Sequence, residues 1–262
     1  MASLHVFGGT SDAVKLCALL EQQALAYSVS VASDVGRAVA SELQGEIHVG
    51  RLDAAAMTDW LAANSVTCVI DAAHPYATAL RSNIQQACQI LGITLIRYER
   101  PSASGVMSHP LLNSVRSLED ACNLAAQFGK RVLLTTGSKD LARFQQFLPD
   151  KYLIARVLPT AEVISQCEVL GLGVDQIIAM KGPFSADLNR ALYQFCQPDV
   201  IITKESGQEG GFQEKIAPCI DAGIACIVIE RPNSDTAIYG AVCHSFDEIL
   251  TLLTRFQTRE PA

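Results

Sequence analysis

The fold depends first on the stretch Leu4-His5-Val6-Phe7-Gly8-Gly9-Thr10-Ser11-Asp12-Ala13-Val14. Its first four residues have the pattern of a strand, and a pattern of helical spacing begins after the turn. Strand, tight glycine turn and helix in this order bring backbone N–H groups and a helix N-terminus to a pyrophosphate. The turn departs from G-x-G-x-x-G, because Thr10 stands at the second glycine and Ala13 at the third. It predicts a dinucleotide site on Gly8, Gly9, Thr10 and Ser11.

Outward from this stretch, short apolar runs alternate with longer helical patterns over the first hundred residues. The expected strands are 4–7, 27–32, 46–49, 67–70 and 94–97, and the expected helices are 11–24, 36–43, 54–63 and 77–91. Strands that are apolar on both faces and separated by single helices indicate a parallel sheet covered on both sides. We therefore predict an N-terminal, dinucleotide-binding α/β domain over residues 1–100.

A stretch with prolines, glycines and serines interrupts this alternation, which then resumes. The expected strands are 131–135, 152–156, 176–180, 200–203 and 225–229, and the expected helices are 117–128, 139–147, 160–169, 185–196, 211–221 and 245–256. The pattern predicts a linker over 101–115 and a C-terminal substrate domain over 116–262. Two such halves would leave a cleft between them, where ligands commonly bind.

Composition argues against several other classes. The 262 residues are 49% hydrophobic and 18% charged, which favours a well-packed globular protein. The net charge of −7 without a basic tract argues against nucleic acid, and no apolar run is long enough for a membrane span. Nine cysteines form no C-x-x-C pair and no cluster with histidine. We therefore expect free buried thiols, no metal site and a cytoplasmic location.

Residues after the second and third strands are candidates for binding the adenosine half of a dinucleotide. Asp34 suits a free ribose 2′-hydroxyl and hence NAD, whereas Ser33 and Arg37 suit the 2′-phosphate of NADP. Asp34 is also a candidate N-cap for the helix that follows it. Leu52 would pass near the adenine, and Asp53 beside it is a second candidate N-cap. The sequence leaves the choice of dinucleotide open.

The segment Asp71-Ala72-Ala73-His74-Pro75-Tyr76-Ala77 follows the fourth strand at its carboxyl end, the sheet edge where ligands gather. Ala72 and Ala73 are small enough for a cofactor to approach closely. His74 titrates near neutrality and is a candidate proton donor, and Tyr76 is a candidate for orienting a substrate group. A lone histidine in a loop is more often structural, so its assignment depends on further support.

Cationic residues follow successive strands of the second half. Lys139 comes after Thr135-Thr136-Gly137-Ser138, whose N–H and hydroxyl groups form a candidate anion nest. The further cations are Arg156, Lys181, Lys204 and Lys215. Each alone is compatible with a solvated surface charge. Four of them, Lys139, Arg156, Lys181 and Lys204, come in turn at the carboxyl ends of strands and predict a basic rim for a ligand with several carboxylates or phosphates.

Eight short motifs stand in order along nearly the whole chain: GGTSDA (8–13), GRLD (50–53), DAAHPYA (71–77), RYERP (97–101), TGSK (136–139), ARVLP (155–159), KGPFS (181–185) and TKESG (203–207). Together they resemble the precorrin-6A reductases of cobalamin biosynthesis. Ala73 departs from the family pattern, which more often has threonine there.

The resemblance implies reduction of one macrocycle double bond of precorrin-6A, or of its cobalt complex, to the 6B form. The hydride would come from a reduced nicotinamide, with NADP(H) favoured and NAD(H) as the alternative. The implied fold is two Rossmann-like parallel-sheet domains with the active-site cleft between them. The implied substrate is a polycarboxylate tetrapyrrole, and neighbouring corrin-pathway enzymes stay open as protein partners.

The expected site combines the motifs with this resemblance. The cofactor-binding set is Gly8, Gly9, Thr10, Ser11, Ser33, Asp34, Arg37, Leu52, Ala72 and Ala73. The substrate-binding set is Ser138, Lys139, Arg156, Lys181, Lys204, Ser206, Gly207 and Lys215. The proton-donor candidates are His74, Tyr76 and Lys204, in falling order of preference, unless water or the macrocycle supplies the proton.

Two other functions compete with this one. A short-chain-type carbonyl reductase predicts a Tyr-x-x-x-Lys pair, and no such pair stands in the right place. A non-catalytic sensor would use the same Gly-Gly-Thr turn but would bind NADP(H) without consuming it. The sequence leaves open the metal-free or cobalt-containing form of the substrate, and the oligomeric state.

Overall fold

The structure is a computed structural model, and it describes residues 3–99, 109–206, 211–232 and 238–258. Within these ranges the strands are β1 (Ser3–Phe7), β2 (Tyr27–Val31), β3 (Glu46–Val49), β4 (Val66–Asp71), β5 (Thr94–Tyr98), β6 (Leu112–Val115), β7 (Arg131–Leu134), β8 (Tyr152–Val157), β9 (Ile177–Ala179), β10 (Val200–Lys204), β11 (Ala225–Ile229) and β12 (Ala241–Cys243). All ten predicted strands are confirmed, each to within one residue at either end. The additional strands are β6 and β12.

The helices alternate with these strands along the chain. They are α1 (Ser11–Gln22), α2 (Asp34–Val39), α3 (Ala54–Ala63), α4 (Thr78–Leu91), α5 (Leu118–Ala125), α6 (Leu141–Phe147), α7 (Ala161–Val169), α8 (Ala186–Cys196), α9 (Phe212–Asp221) and α10 (Phe246–Thr258). The largest shift from expectation is in α2, which begins before the predicted residue 36 and ends before residue 43. It begins at Asp34 because the Ser33 hydroxyl accepts a hydrogen bond from the Gly36 N–H and caps the helix there.

The strands form two sheets, and within each sheet all neighbouring strands run parallel. The first has the order β12-β5-β4-β1-β2-β3, and the second has the order β6-β11-β10-β7-β8-β9. In each sheet the direction of progression reverses at one strand, β1 in the first and β7 in the second. The predicted α/β class with two Rossmann-like parallel sheets is confirmed.

The two units divide the chain differently from the predicted ranges 1–100, 101–115 and 116–262. The first unit is Met1–Pro101 with Pro232–Ala262, and the second unit is Ser102–Arg231. The difference arises because β12 pairs with β5 in the first sheet, while β6, inside the predicted linker, pairs with β11 in the second. Both are short edge strands: β6 has Asn113 and Ser114 among its four residues and β12 has three residues, so neither shows the longer apolar run of a buried strand. Residues 101–108 of the predicted linker lie outside the described residues.

Helices cover both faces of the first sheet, which explains why its strands are apolar on both faces. On one face, Leu16 and Leu20 of α1 pack in a core cluster with Ile249 and Leu253 of α10. On the other face, Met57 and Leu61 of α3 pack in a second cluster with Ile84 and Ala87 of α4. The second sheet has its own cluster, in which Phe212 and Ile216 of α9 meet Tyr193 of α8. Each unit therefore has its own hydrophobic core.

The nine cysteines are all buried and none forms a disulfide, as the sequence predicts. Burial raises the pKa values of the Cys17 and Cys68 thiols to about 12, which keeps both protonated. Among the described residues, no helix is both long and apolar enough to cross a membrane. The same residues contain no group of three or more His, Cys, Asp and Glu side chains able to hold a metal ion.

A polar contact lies inside the first core, on the strand that opens the fold. The His5 ring is fully buried, with Nδ1 2.8 Å from the Ser28 hydroxyl and Nε2 2.9 Å from the Ser30 hydroxyl. The indole of Trp60 lies against it, with ring centroids 4.6 Å apart. Burial, helped by nearby His48, lowers the pKa of His5 to about 3. His5 is therefore a neutral ring held by two hydroxyl groups, which can each donate or accept.

This neutral histidine should make the first unit sensitive to acid. Because the pKa of His5 is about 3 in the fold and 6.5 ordinarily, only the unfolded chain gains this proton over most of that interval. Stability is therefore lost as the pH falls through it, by about 2 kcal/mol from neutrality to pH 5. Urea unfolding should be followed by the fluorescence of Trp60, the one tryptophan in the chain. The His5→Asn variant should lack this part of the pH dependence, and His244→Asn, at an exposed position, should keep it. Equal slopes in wild type and His5→Asn would contradict the assignment.

Candidate functional site

The turn after β1 has the shape that close approach by a ligand requires. A Cβ at Gly8 would lie 3.1 Å from Val29 Cγ2 and 3.3 Å from Ala13 Cβ, so only glycine fits without displacement. Gly9 has a φ of +92°, in the region that favours glycine. The backbone N–H groups of Gly9 and Thr10 donate to no acceptor among the described residues. The turn therefore presents two unused donors beside the N-terminus of α1, a combination that suits a phosphate group.

Thr10 joins this turn to the loop after β4. Its hydroxyl accepts from the Ala13 N–H at 3.1 Å, capping α1, and donates to the Ala72 carbonyl at 3.1 Å. The Ala72 N–H in turn donates to the Phe7 carbonyl at 3.0 Å. These contacts bring the Gly8–Thr10 turn and the buried Ala72 and Ala73 together at the carboxyl ends of β1 and β4. This is the point at which the strand order reverses, where open α/β sheets bind ligands.

The loop after β4 is held by a buried cluster of charges. Arg97 donates to the Asp71 carboxylate at 2.8 Å and to the backbone carbonyls of Asp71 and Ala73 at 3.0 and 3.2 Å. Arg81 lies 3.7 Å from the other carboxylate oxygen and donates to the Pro75 carbonyl at 2.8 Å. The Ala73 N–H donates to Asp71 at 3.1 Å. One carboxylate and two guanidinium groups therefore fix the backbone from Asp71 to Pro75.

Burial makes these contacts energetically demanding. It raises the pKa of Asp71, and the Arg97 charge is the strongest influence opposing that rise. It also lowers the pKa of Arg81, as does the like charge of Arg97. Sequence reasoning assigned no role to these three residues. The available signal was Arg97 itself, a charged residue in a strand that is otherwise apolar and buried.

His74 and Tyr76 lie together in the loop that this cluster holds. Their ring centroids are 5.7 Å apart, and the Tyr76 backbone N–H donates to His74 Nδ1 at 3.3 Å. Since Nδ1 accepts, the neutral ring carries its proton on Nε2. His74 is exposed and Tyr76 is half-buried. The arrangement leaves an exposed imidazole beside Ala72 and Ala73, at the same sheet edge as the glycine turn.

The residues expected near the adenosine follow β2 and β3. Ser33, Asp34 and Arg37 are exposed on α2. The prediction that Asp34 caps this helix is wrong, because Ser33 takes that position and Asp34 is the first helical residue. Asp53 does cap α3, accepting from the Ala56 N–H at 2.9 Å. The carbonyl of Leu52 accepts from the Asn83 side chain at 3.1 Å, and the Leu52 side chain packs against the first unit's core.

In the second unit the predicted cations follow four neighbouring strands but differ in their surroundings. Lys139 and Lys181 are exposed, after β7 and β9. Lys204, at the end of β10, donates to the Asp140 carboxylate at 2.7 Å, so its charge is already paired. Ser138 precedes Lys139 and is half-buried, with its carbonyl accepting from Gln166 at 3.3 Å. Gly207 lies outside the described residues.

Arg156 and Lys215 are not on an exposed rim, contrary to expectation. Arg156, in β8, is 6% exposed, while Lys215, in α9, and Ser206, after β10, are each 9% exposed. The Lys215 ammonium donates to the Ser206 hydroxyl at 2.9 Å, which brings two predicted substrate residues together. No contact among the described residues joins Lys139 or Lys181 to this group.

The parallel sheets, the order reversal and the glycine turn define a Rossmann-like α/β protein with a dinucleotide-type turn in its first unit. Residues 3–254 match the family described as "Precorrin-6x reductase CbiJ/CobK", and the chain belongs to this family. The family predicted from the motifs, reductases of cobalamin biosynthesis, is thereby confirmed.

Individual relatives agree with the family match. The chain is 53% identical over 228 residues to a cobalt-precorrin-6A reductase of Salmonella typhimurium, with 87% of each chain covered. It is 34% identical over 257 residues to a cobalt-precorrin-6A reductase of Priestia megaterium, covering 97% of this chain and 98% of the relative. Among solved structures, "CobK precorrin-6A reductase" is similar in fold, with a TM-score of 0.77, 23% identity and 97% of each chain covered.

The Arg97 cluster should be essential to the stability of the first unit. Arg97→Met removes the cation that bonds the buried Asp71 carboxylate and leaves only Arg81, at 3.7 Å, so we expect the free energy of unfolding to fall by about 3–5 kcal/mol. The Asp71→Asn/Arg97→Met double variant should recover part of this loss, because a neutral amide needs no cation. Arg51→Met, at an exposed position, should cost at most about 0.5 kcal/mol. Urea titrations monitored by Trp60 fluorescence measure the free energy of unfolding of the wild type and of these three variants. Equal losses for Arg97→Met and Arg51→Met would contradict this role.

Proposed function

We propose that this chain reduces one double bond in the macrocycle of cobalt-precorrin-6A, using a reduced nicotinamide dinucleotide. The family match over residues 3–254 carries the proposal. We choose the cobalt-containing form because relatives with 53% and 34% identity bear that name. A reduced nicotinamide, when bound, supplies the hydride, and the protein binds, orients and protonates.

The first unit is the proposed dinucleotide-binding unit. The tight Gly8, the positive φ of Gly9 and the unused N–H donors of Gly9 and Thr10 fit a pyrophosphate. Ser11 begins α1, so its N–H faces the same end of the helix. The small, buried residues Ala72 and Ala73 lie at the same sheet edge as this turn, and the Thr10 hydroxyl joins the turn to the Ala72 carbonyl. Leu52 is the weakest member of the proposed set, because its carbonyl and its side chain both have protein partners.

We assign the proton to His74 first, since its ring lies exposed at the proposed site and, as an imidazolium, can give up the Nε2 proton and become neutral. Tyr76, whose ring neighbours that imidazole, would orient it or a substrate group. Lys204 is third, because donating a proton would leave Asp140 without its cation. The proposed substrate residues are Ser138, Lys139, Arg156, Lys181, Lys204, Ser206, Gly207 and Lys215. Their charges suit a macrocycle that carries several carboxylates.

We further propose NADPH as the preferred cofactor. Arg37 is exposed and forms no ion pair among the described residues, and Ser33, the N-cap of the same helix, lies four positions before it. A guanidinium and a hydroxyl suit a 2′-phosphate. Asp34 lies between them and favours a 2′-hydroxyl, so the experiment on Arg37 distinguishes the two. We assign the reaction to the cytoplasm, because nine free cysteines fit a reducing compartment.

Deuteride transfer tests the proposed reaction directly. The purified protein, cobalt-precorrin-6A and C4-deuterated NADPH should yield a product that contains one deuterium, detected by mass spectrometry. Gly9→Asp should lower NADPH affinity about 100-fold or more, because its carboxylate repels phosphate and blocks the donors. Gly92→Asp, at a second positive-φ glycine after α4, controls for backbone strain. Binding of NADPH without consumption by the wild type would refute the reductase and favour a sensor.

Arg37→Gln tests the cofactor preference. We expect the KM for NADPH to rise about 10- to 100-fold, because a charge-assisted hydrogen bond to phosphate is lost. The KM for NADH should not change, and Arg255→Gln, an exposed arginine of the same unit, should change neither. Steady-state rates with each cofactor give all of these constants. A parallel rise for both cofactors would show that Arg37 does not contact the 2′-phosphate.

A further inference from the structure

Two buried cations of the second unit, Arg156 and Lys215, have neutral hydrogen-bond partners. Arg156 is 6% exposed and Lys215 is 9% exposed, and no Asp or Glu of the described residues forms an ion pair with either. Glu214 adjoins Lys215 in the chain, but its carboxylate bonds to neither cation. Removing a charge from water costs several kcal/mol unless an opposite charge compensates. Two like charges add their mutual repulsion, so this group is incomplete by itself.

Arg156 is nevertheless held in one position. Its guanidinium donates to Asn189 Oδ1 at 2.6 Å and lies over the Phe184 ring, 4.0 Å from the ring centre. Asn189 is fully buried, and its amide nitrogen donates to the carbonyls of Ser185 and Glu214, each at 3.0 Å. Those two bonds leave only the amide oxygen to face Arg156. A neutral amide and an aromatic ring orient the guanidinium without cancelling its charge.

Lys215 is also fixed by hydrogen bonds, at its ammonium group and at its backbone carbonyl. Its ammonium donates to the Ser206 hydroxyl at 2.9 Å, and the Tyr193 hydroxyl donates to the Lys215 carbonyl at 3.1 Å. Burial and then the charge of Arg156 lower the pKa of Lys215 to about 8, while the weaker influences of Cys226 and Glu214 raise it. The Tyr193 hydroxyl also lies 3.5 Å from Asn189 Oδ1, the atom that accepts from Arg156, so one tyrosine connects the residues that hold the two cations.

We propose that Arg156, Lys215 and Ser206 form a binding site for one carboxylate of the macrocycle, with Asn189 and Phe184 as positioning residues. A carboxylate would accept from the guanidinium, the ammonium and the hydroxyl, and would supply the missing negative charge. The identity of the ligand rests on the proposed function, whereas the anion site rests on the buried cations alone. A phosphate of the dinucleotide has related chemistry, so the test separates the two sources.

Binding of uroporphyrin, an octacarboxylate macrocycle, tests the site without any turnover. Lys215→Met should weaken uroporphyrin binding about 10- to 100-fold in fluorescence titrations, because a charge-assisted hydrogen bond is lost. Lys130→Met, an exposed lysine of the same unit, is the matched control and should bind as the wild type does. NADPH affinity should be the same in all three proteins. Loss of NADPH affinity alone would assign the site to a phosphate, and unchanged uroporphyrin affinity in Lys215→Met would also overturn the proposal.

Proton uptake provides a second measurement that needs no variant to fold. At pH 8 about half of the Lys215 side chains are neutral, and a bound carboxylate favours the charged form. Binding to the wild type should therefore take up approaching half a proton. Calorimetry in two buffers of different ionisation enthalpy measures this uptake, with Lys215→Met as the baseline. Absence of uptake by the wild type would overturn the proposal.

Thermal unfolding separates this site from a structural role. Without ligand, Lys215→Met should unfold at the same temperature as the wild type or higher, because it removes an uncompensated charge. A much lower midpoint together with lost binding would make Lys215 structural and overturn the site. If uroporphyrin binding depends on Lys215 but cobalt-precorrin-6A is not reduced, the anion site stands and the proposed reaction fails.

Discussion

The bond from the Thr10 hydroxyl to the Ala72 carbonyl joins the two loops on which the first unit's proposed site depends. It forms because helices cover both faces of a parallel sheet, so the strand order must reverse somewhere. At that reversal the loops after β1 and β4 leave toward opposite faces, and a crevice opens between them. Thr10 spans it at its base while also capping α1. Thr10 stands where the dinucleotide motif has its second glycine. It lacks the conformational freedom of glycine, but its hydroxyl supplies a fixed contact between the two loops.

The second sheet also has a point at which its strand order reverses, between β7 and β10, yet this point has a different chemistry. Asp140 follows β7 and pairs with Lys204, the last residue of β10. Arg156, in the neighbouring strand β8, and Lys215 are buried and form no ion pair among the described residues. In the first unit the buried arginines share Asp71 and hold a loop. One fold therefore uses buried cations in two ways, as a completed structural cluster and as an incomplete one that a ligand would complete.

The sequence was informative where local pattern decides structure and uninformative where tertiary contacts do. Apolar runs located β1 and β10 because buried parallel strands need apolar side chains on both faces. The strands β6 and β12 were missed, since β6 has Asn113 and Ser114 among its four residues and β12 is only three residues long. The glycine turn and the cations at strand ends were visible as motifs. The partners Asn189 for Arg156 and Asp71 for Arg97 were not, because 33 and 26 residues separate them along the chain.

The position of β12 has a consequence for how the molecule is made. The last strand of the first sheet follows the entire second unit in the chain and pairs with β5. During synthesis, β1 to β5 leave the ribosome long before their outermost neighbour exists. During that interval the outer edge of β5 has no neighbouring strand to pair with. The helix α10, which packs on one face of the first core, is also absent. The N-terminal unit is therefore the first to be translated and the last whose folding can be finished.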